Sequence, residues 1–194
     1  MAGSTGVRVP DVLHAAFTLL VHRYSGQDDF ASARAGGTSS GRPVAVRSRI
    51  AEDETLAAMA AELGARYRRA AAEAGPDETA GLGTGLRVGH VESDGSAGLP
   101  EGFALLLHSE RTPDGHRFTL HHDTGLLADE LVARMAANLV TLLRDAVRRP
   151  ETPATRCPKS CTTRWPSRCR PPSTSGSRSA SRSPRTSATT TCPN

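Results

Sequence analysis

The chain has 194 residues, enough for one ordinary domain with length to spare, and a formal charge of +4. The charge is unevenly placed: residues 151–194 hold seven Arg and one Lys against one Glu, while the first 150 residues carry 16 basic and 19 acidic side chains. All four Cys (Cys157, Cys161, Cys169 and Cys192) follow residue 150, so the body has no disulfide framework and the cytoplasm is the expected compartment; apolar stretches such as residues 104–107 are too short to span a membrane, and residues 1–9 lack the apolar core of a secretory signal.

Residues 10–25, PDVLHAAFTLLVHRYS, predict a helix. Leu13, Phe17, Leu20 and Tyr24 recur at three- to four-residue spacing and make one apolar face. Pro10 suits a first turn and Gly26 a stop. Residues 26–43 contain four Gly with Thr38, Ser39 and Ser40, which predicts a loop with a short strand near Phe30. Val44, Val46 and Ile50 then alternate with Arg47 and Arg49, the pattern of a half-buried strand. Asp53 is the expected N-cap of a second helix over 54–74, with Leu56, Met59, Ala60, Leu63 and Tyr67 on one side and Gly75-Pro76 closing it.

Residues 76–85 are a Gly-rich connector. Strands are expected at 86–91, 103–109 and 118–122, the last two joined through Thr112-Pro113-Asp114-Gly115, where Pro presets φ and Gly supplies positive φ. A third helix over 127–148 turns Leu131, Met135, Leu139, Leu142 and Leu143 inward and Arg144, Asp145 and Arg148 outward. Helices and strands in this order predict an α/β layer structure.

These segments carry a resemblance. LHAAFTLLVHRYSGQDDF at 13–30 resembles the start of the C-terminal lobe of a nonribosomal peptide synthetase condensation domain, where members often read AAFALLLHRYTGQDD. RFTLHHDTGLLADELVARMAANLVTLLRDAVRRPETP at 117–153 resembles the end of that lobe, and GRPVAVRSRI the strand between. The resemblance implies a partial chloramphenicol-acetyltransferase-like lobe: an open mixed sheet with packed helices. It also implies adenylation and carrier-protein domains as partners. The family's HHxxxDG motif belongs to the other lobe, so the resemblance does not carry the family's condensation reaction onto this chain. The expected role is a structural or docking fragment, inactive alone. Alternatives are a transferase half that works with a separate N-terminal lobe, and a nucleic-acid-binding protein using its basic tail.

No catalytic, cofactor-binding or metal-ligating residue is assigned. His121-His122-Asp123-Thr124-Gly125 departs from HHxxxDG because Asp follows the second His directly, and neighbouring strand residues face opposite ways. Gly81, Gly83 and Gly85 are followed by a strand, whereas the dinucleotide fingerprint follows a strand and opens a helix. Asp28 with Asp29, and Glu52, Asp53 and Glu54, are carboxylate clusters; the latter suits a helix N-terminus. The cysteines lack the paired spacing of structural zinc sites.

The expected organisation is a disordered N-terminus at 1–9, the lobe-like domain at 10–153, and a basic, disordered tail at 154–194. An Arg/Ser run such as RPPSTSGSRSASRSPRTS at 170–187 would bind nucleic acid through phosphates if it is genuine. It also fits an out-of-frame translation. GC-rich codons for Thr155 to Arg164, read from the third base, give Ala-Leu-Pro-Glu-Val-Leu-His-Asp-Pro, similar to the family's exit from its last helix.

Overall fold

The computed structural model describes residues 7–36, 43–51, 53–73, 87–93, 102–154 and, for the backbone alone, 185–193. Three helices and six strands run in the order α1 (Val9–Ser25), β1 (Asp29–Ala35), β2 (Val44–Arg49), α2 (Leu56–Glu73), β3 (Val88–Ser93), β4 (Leu105–Thr112), β5 (Gly115–Asp123), α3 (Asp129–Arg148) and β6 (Arg185–Pro193). The sheet order is β2-β1-β3-β4-β5-β6. β1 pairs with β3, and β3 with β4, in parallel; the other pairs are antiparallel. This is the expected open mixed sheet.

All three helices lie on one face. Register places Val44, Arg34, His90, Leu107 and Leu120 in one row across that face. The larger apolar core fills the space between this face and the helices, with Phe17, Leu20, Met59, Leu63, Leu105, Leu107, Leu120, Met135 and Leu139 among its members. A smaller cluster of Ala33, Ala35, Val91, Phe103 and Leu106 occupies the opposite face. The period-2 pattern that revealed the strands thus also divides their side chains between two apolar layers.

α1 departs from the one-faced helix that its spacing predicts. Leu13, Ala15, Ala16, Phe17, Leu19, Leu20 and Val21 are all buried, so the helix is enclosed around its circumference. A segment that is apolar on nearly every side gains most when surrounded in this way. Its start is fixed by Arg8, whose backbone N–H donates to Asp11 Oδ2 at 3.3 Å. It ends at Gly26, where φ is +70° and the N–H donates to His22 O at 2.7 Å.

α2 begins at Leu56, so Asp53 is not its cap. Thr55 Oγ1 accepts from the Ala58 N–H at 3.2 Å instead. Thr55 is held in place by a bridge to Pro153, next to which the Ala154 N–H donates to Glu54 O at 2.8 Å. Thr55 is itself a favoured N-cap residue, two positions after Asp53. Gly75-Pro76 lies outside the described residues.

The ends of the domain also differ from expectation. Val7 is buried in the main core and α1 begins at Val9, so order starts before residue 10. Within the basic tail, the backbone of residues 185–193 forms β6 along β5; the rest of the tail lies outside the described residues. Composition suits this strand. This stretch holds Thr186, Thr189, Thr190 and Thr191, β-branched residues that suit a strand. Without them β5 would be an edge with unpaired backbone groups.

Candidate functional site

Two polar clusters flank the sheet, one on each face. The first lies beneath α1. Asp11 Oδ1 accepts from Arg34 Nη2 at 2.6 Å, and both side chains are buried. Arg68 Nη1 reaches Asp11 Oδ2 at 3.3 Å, and Arg8 Nε reaches it at 3.4 Å. The Arg34 guanidinium carbon stands 4.3 Å from the Tyr67 ring centroid, a cation–π arrangement. Burial acts to raise the Asp11 carboxyl, but the hydrogen bond and charge of Arg34, helped by Arg8, outweigh it and hold the group below its ordinary range.

One helical turn on, His14 packs on the same layer. Its ring stacks on His90 at 5.7 Å between centroids, and its Nε2 lies 3.4 Å from Ser32 Oγ. His90 Nε2 is 2.7 Å from Ser109 Oγ. Burial, reinforced by the nearby Arg34 charge, pushes His14 down to about 3. His90 is held well below its ordinary value by burial, then by His14 and Arg34. Both rings are therefore neutral at pH 7. His90 and Ser109 have the contact of a base and a nucleophile. Both are sealed from solvent, at 0% and 1% exposure, so no substrate reaches them. This cluster holds α1 to the sheet and orders the core.

The second cluster is on the opposite face and is half-buried. Ser93 Oγ lies 2.6 Å from His108 Nε2, and the His108 and His121 rings are 6.0 Å apart. Burial lowers His108, against the opposing pull of Glu110. A neutral imidazole beside a hydroxyl is half of a nucleophilic site. Catalysis needs a group that orients the ring and donors for an oxyanion, and among the described residues no carboxylate hydrogen-bonds to His108.

The sequence-predicted candidates fall apart in space. His122 faces the helices, where its Nε2 meets Asp129 Oδ1 at 2.9 Å in the first turn of α3; His121 faces the other way. The pair therefore serves two layers, as strand alternation requires. Asp28 lies 3.3 Å from His22, and Asp29 takes a two-bond contact from Arg47 at 2.8 and 3.0 Å. Glu54 is raised mainly by burial and secondarily by Glu62. Gly81, Gly83, Gly85, Glu52, Cys157, Cys161 and Cys169 lie outside the described residues, as does the side chain of Cys192. Among the described residues no group of three metal-ligating side chains converges, and no described helix is long and apolar enough to cross a membrane.

Sequence reasoning missed the Asp11–Arg34 and His14–His90 pairs. A signal was present: Asp11, His14 and Thr18 interrupt an apolar helix at three- and four-residue spacing, a polar line that an enclosed helix must satisfy internally.

Comparison with solved structures identifies the class of fold. The first condensation domain of the CDA synthetase superposes with a TM-score of 0.63 at 13% identity, over 81% of this chain and 43% of that one. The X-domain in the complex of the X-domain and OxyB from teicoplanin biosynthesis gives 0.63 at 20% identity, over 81% and 44%. Holo-AB3403, a four-domain nonribosomal peptide synthetase bound to AMP and glycine, gives 0.68 at 14% identity, over 82% of this chain and 16% of that one. No family model matches the chain, and no curated protein matches it.

The fold is therefore that of part of a condensation domain. The chain spans less than half the length of the single condensation domains it matches.

Proposed function

We propose that this chain is a fragment of a nonribosomal peptide synthetase, corresponding to the C-terminal half of a condensation domain, and that it is structural or docking in role rather than catalytic alone. The observation that carries this is the unequal coverage: four-fifths of the chain superposes on about 43% of a condensation domain. The sealing of the Ser109–His90 pair from solvent supports the non-catalytic part. Its partners would be adenylation and carrier-protein domains in the cytoplasm, in a pathway of secondary metabolism.

Residues 155–194 are part of the same proposal. They read as an out-of-frame translation of the segment that would continue the synthetase. Tryptic peptides from the protein made by its native host test this. Peptides containing Ala-Leu-Pro-Glu-Val-Leu-His-Asp-Pro after Thr152-Pro153-Ala154 are expected; peptides from the stretch between Cys157 and Cys192 as given would overturn it. The role is tested by supplying the purified chain with an aminoacyl and a peptidyl thioester. No amide product above the protein-free rate is expected, and turnover would refute the non-catalytic assignment.

A further inference from the structure

We propose that Arg8 and Arg68 form a clamp for a phosphate-type dianion on the solvent side of the buried Asp11–Arg34 pair. The site is independent of the assignment to a synthetase.

Cations outnumber anions in this cluster by three to one. Arg8, Arg34 and Arg68 all contact Asp11, and among the described residues no other carboxylate pairs with any of them. Arg47, Arg66 and Arg117, by contrast, each have a carboxylate of their own. Two positive charges are therefore left over. They are close enough to oppose one another: burial lowers the Arg34 guanidinium, Asp11 resists this, and the nearby Arg8 charge adds to the lowering.

Asp11 cannot satisfy all three. Five donors approach its two oxygens, whereas a carboxylate offers about four acceptor sites. Arg34 takes the short bond, at 2.6 Å. Arg8 and Arg68 stay at 3.3–3.5 Å, longer than the roughly 2.7–2.9 Å of a well-formed charge-assisted bond. Both reach Oδ2, so their charged heads converge on one point. Their side chains are 42% and 47% exposed, and neither has another hydrogen-bond partner among the described residues. Most of the N–H donors on each guanidinium thus remain open to a ligand from solvent.

The leftover charge selects the ligand. Inorganic phosphate or a phosphate monoester carries nearly two negative charges at neutral pH and balances the cluster; a carboxylate balances half of it. Guanidinium and phosphate also match in shape, through paired parallel hydrogen bonds. Asp11 acts as a positioning residue, because its buried oxygen sets the spacing of the two arginines.

The test is calorimetric titration of the full chain at neutral pH and constant ionic strength, with inorganic phosphate, phenyl phosphate and acetate as probes. One phosphate or phenyl phosphate is expected to bind per chain, with a dissociation constant on the order of a millimolar or lower. Either of these two binding the tighter supports the clamp, and their order says whether free phosphate or a phosphate ester is its ligand. Acetate should bind much more weakly. Arg68→Gln should weaken phosphate binding by about tenfold or more, and Arg8→Gln likewise. Arg69→Gln removes the same charge from an exposed neighbour that does not touch Asp11 and should leave binding nearly unchanged. Absence of saturable binding, acetate binding as tightly as phosphate, or equal losses in Arg68→Gln and Arg69→Gln would overturn the proposal. A cooperative melt of each variant shows that the comparison is made between folded proteins.

Discussion

Asp11 on α1 and Arg34 on β1 form an ion pair at 2.6 Å whose side chains are 1% and 2% exposed. The pair is 23 residues apart in sequence and ties the enclosed helix to the second strand from the sheet's edge. A buried charge is tolerated only when its partner is in place, because desolvation costs several kcal/mol per ion. Arg34 Nη1 already has no hydrogen-bond partner among the described residues, so Asp11 and the Tyr67 ring carry most of its compensation.

Asp11→Ala should therefore destabilise the chain by about 3–5 kcal/mol, the usual cost of stranding one buried charge. Asp11→Ala combined with Arg34→Met should recover a substantial part of that loss. Urea unfolding of the two variants measures both. A double variant no more stable than the single one would show that the arginine's packing, rather than its charge, is what matters.

Gly64 of α2 gives a prediction that changes sign. In a helix interior, replacing Gly by Ala ordinarily stabilises by about 1 kcal/mol. Here an added Cβ would stand 2.7 Å from Asp11 Cγ and 2.8 Å from Oδ2. Gly64→Ala should destabilise the wild-type chain by displacing the carboxylate from Arg34. In the Asp11→Ala background the same substitution should stabilise. A thermodynamic cycle over the four proteins would show no coupling if the close approach is unimportant.

Acid should unfold the domain earlier than its carboxylates alone would dictate. His14 and His90 are neutral in the folded state, with values depressed below the 6.5 of an exposed histidine. The unfolded chain then binds more protons than the folded one below that pH, so stability falls as pH drops. For His14 the loss runs from pH 6.5 down to about 3. Each histidine lowers the folded-to-unfolded ratio by about tenfold per pH unit in its window. Asp11 adds a second loss below about pH 4, where the unfolded carboxyl takes its proton. Unfolding free energy against pH, compared between wild type and His14→Gln, should show the slope between pH 6 and 4 reduced by one proton. Equal slopes would place the proton uptake elsewhere.

Gly89 lies where β3 passes Phe103 on the opposite face. A Cβ there would be 2.9 Å from Phe103 Cε1 and 3.1 Å from Ala33 Cβ. Gly89→Ala should cost about 1–3 kcal/mol, the range for overpacking a filled core. Phe103→Leu should relieve part of it. Thermal unfolding of the single and double variants checks the pairing.

Much of this architecture is legible in the sequence. The alternation of Val44 and Val46 with Arg47 and Arg49 gave β2, and the Pro113-Asp114-Gly115 turn gave the β4–β5 hairpin, which closes with Thr112 opposite Gly115. The polar cluster was not legible as a cluster. Asp11, His14, Arg34, His90 and Ser109 lie on four separate elements, and periodicity within each element carries no information about the others.

The sequence by itself determined the three helices, the strands β2 to β5, the inward sides of α2 and α3, and their likeness in order to part of a condensation domain. These follow from local rules: helical and strand periods, turn chemistry and capping residues act within a few positions of one another. Tertiary structure alone decided that α1 is enclosed, that Asp11 finds Arg34, and that the backbone of residues 185–193 pairs along β5. Each of these depends on which groups meet across the fold, where burial makes an unpaired charge or backbone group costly and so selects its partner.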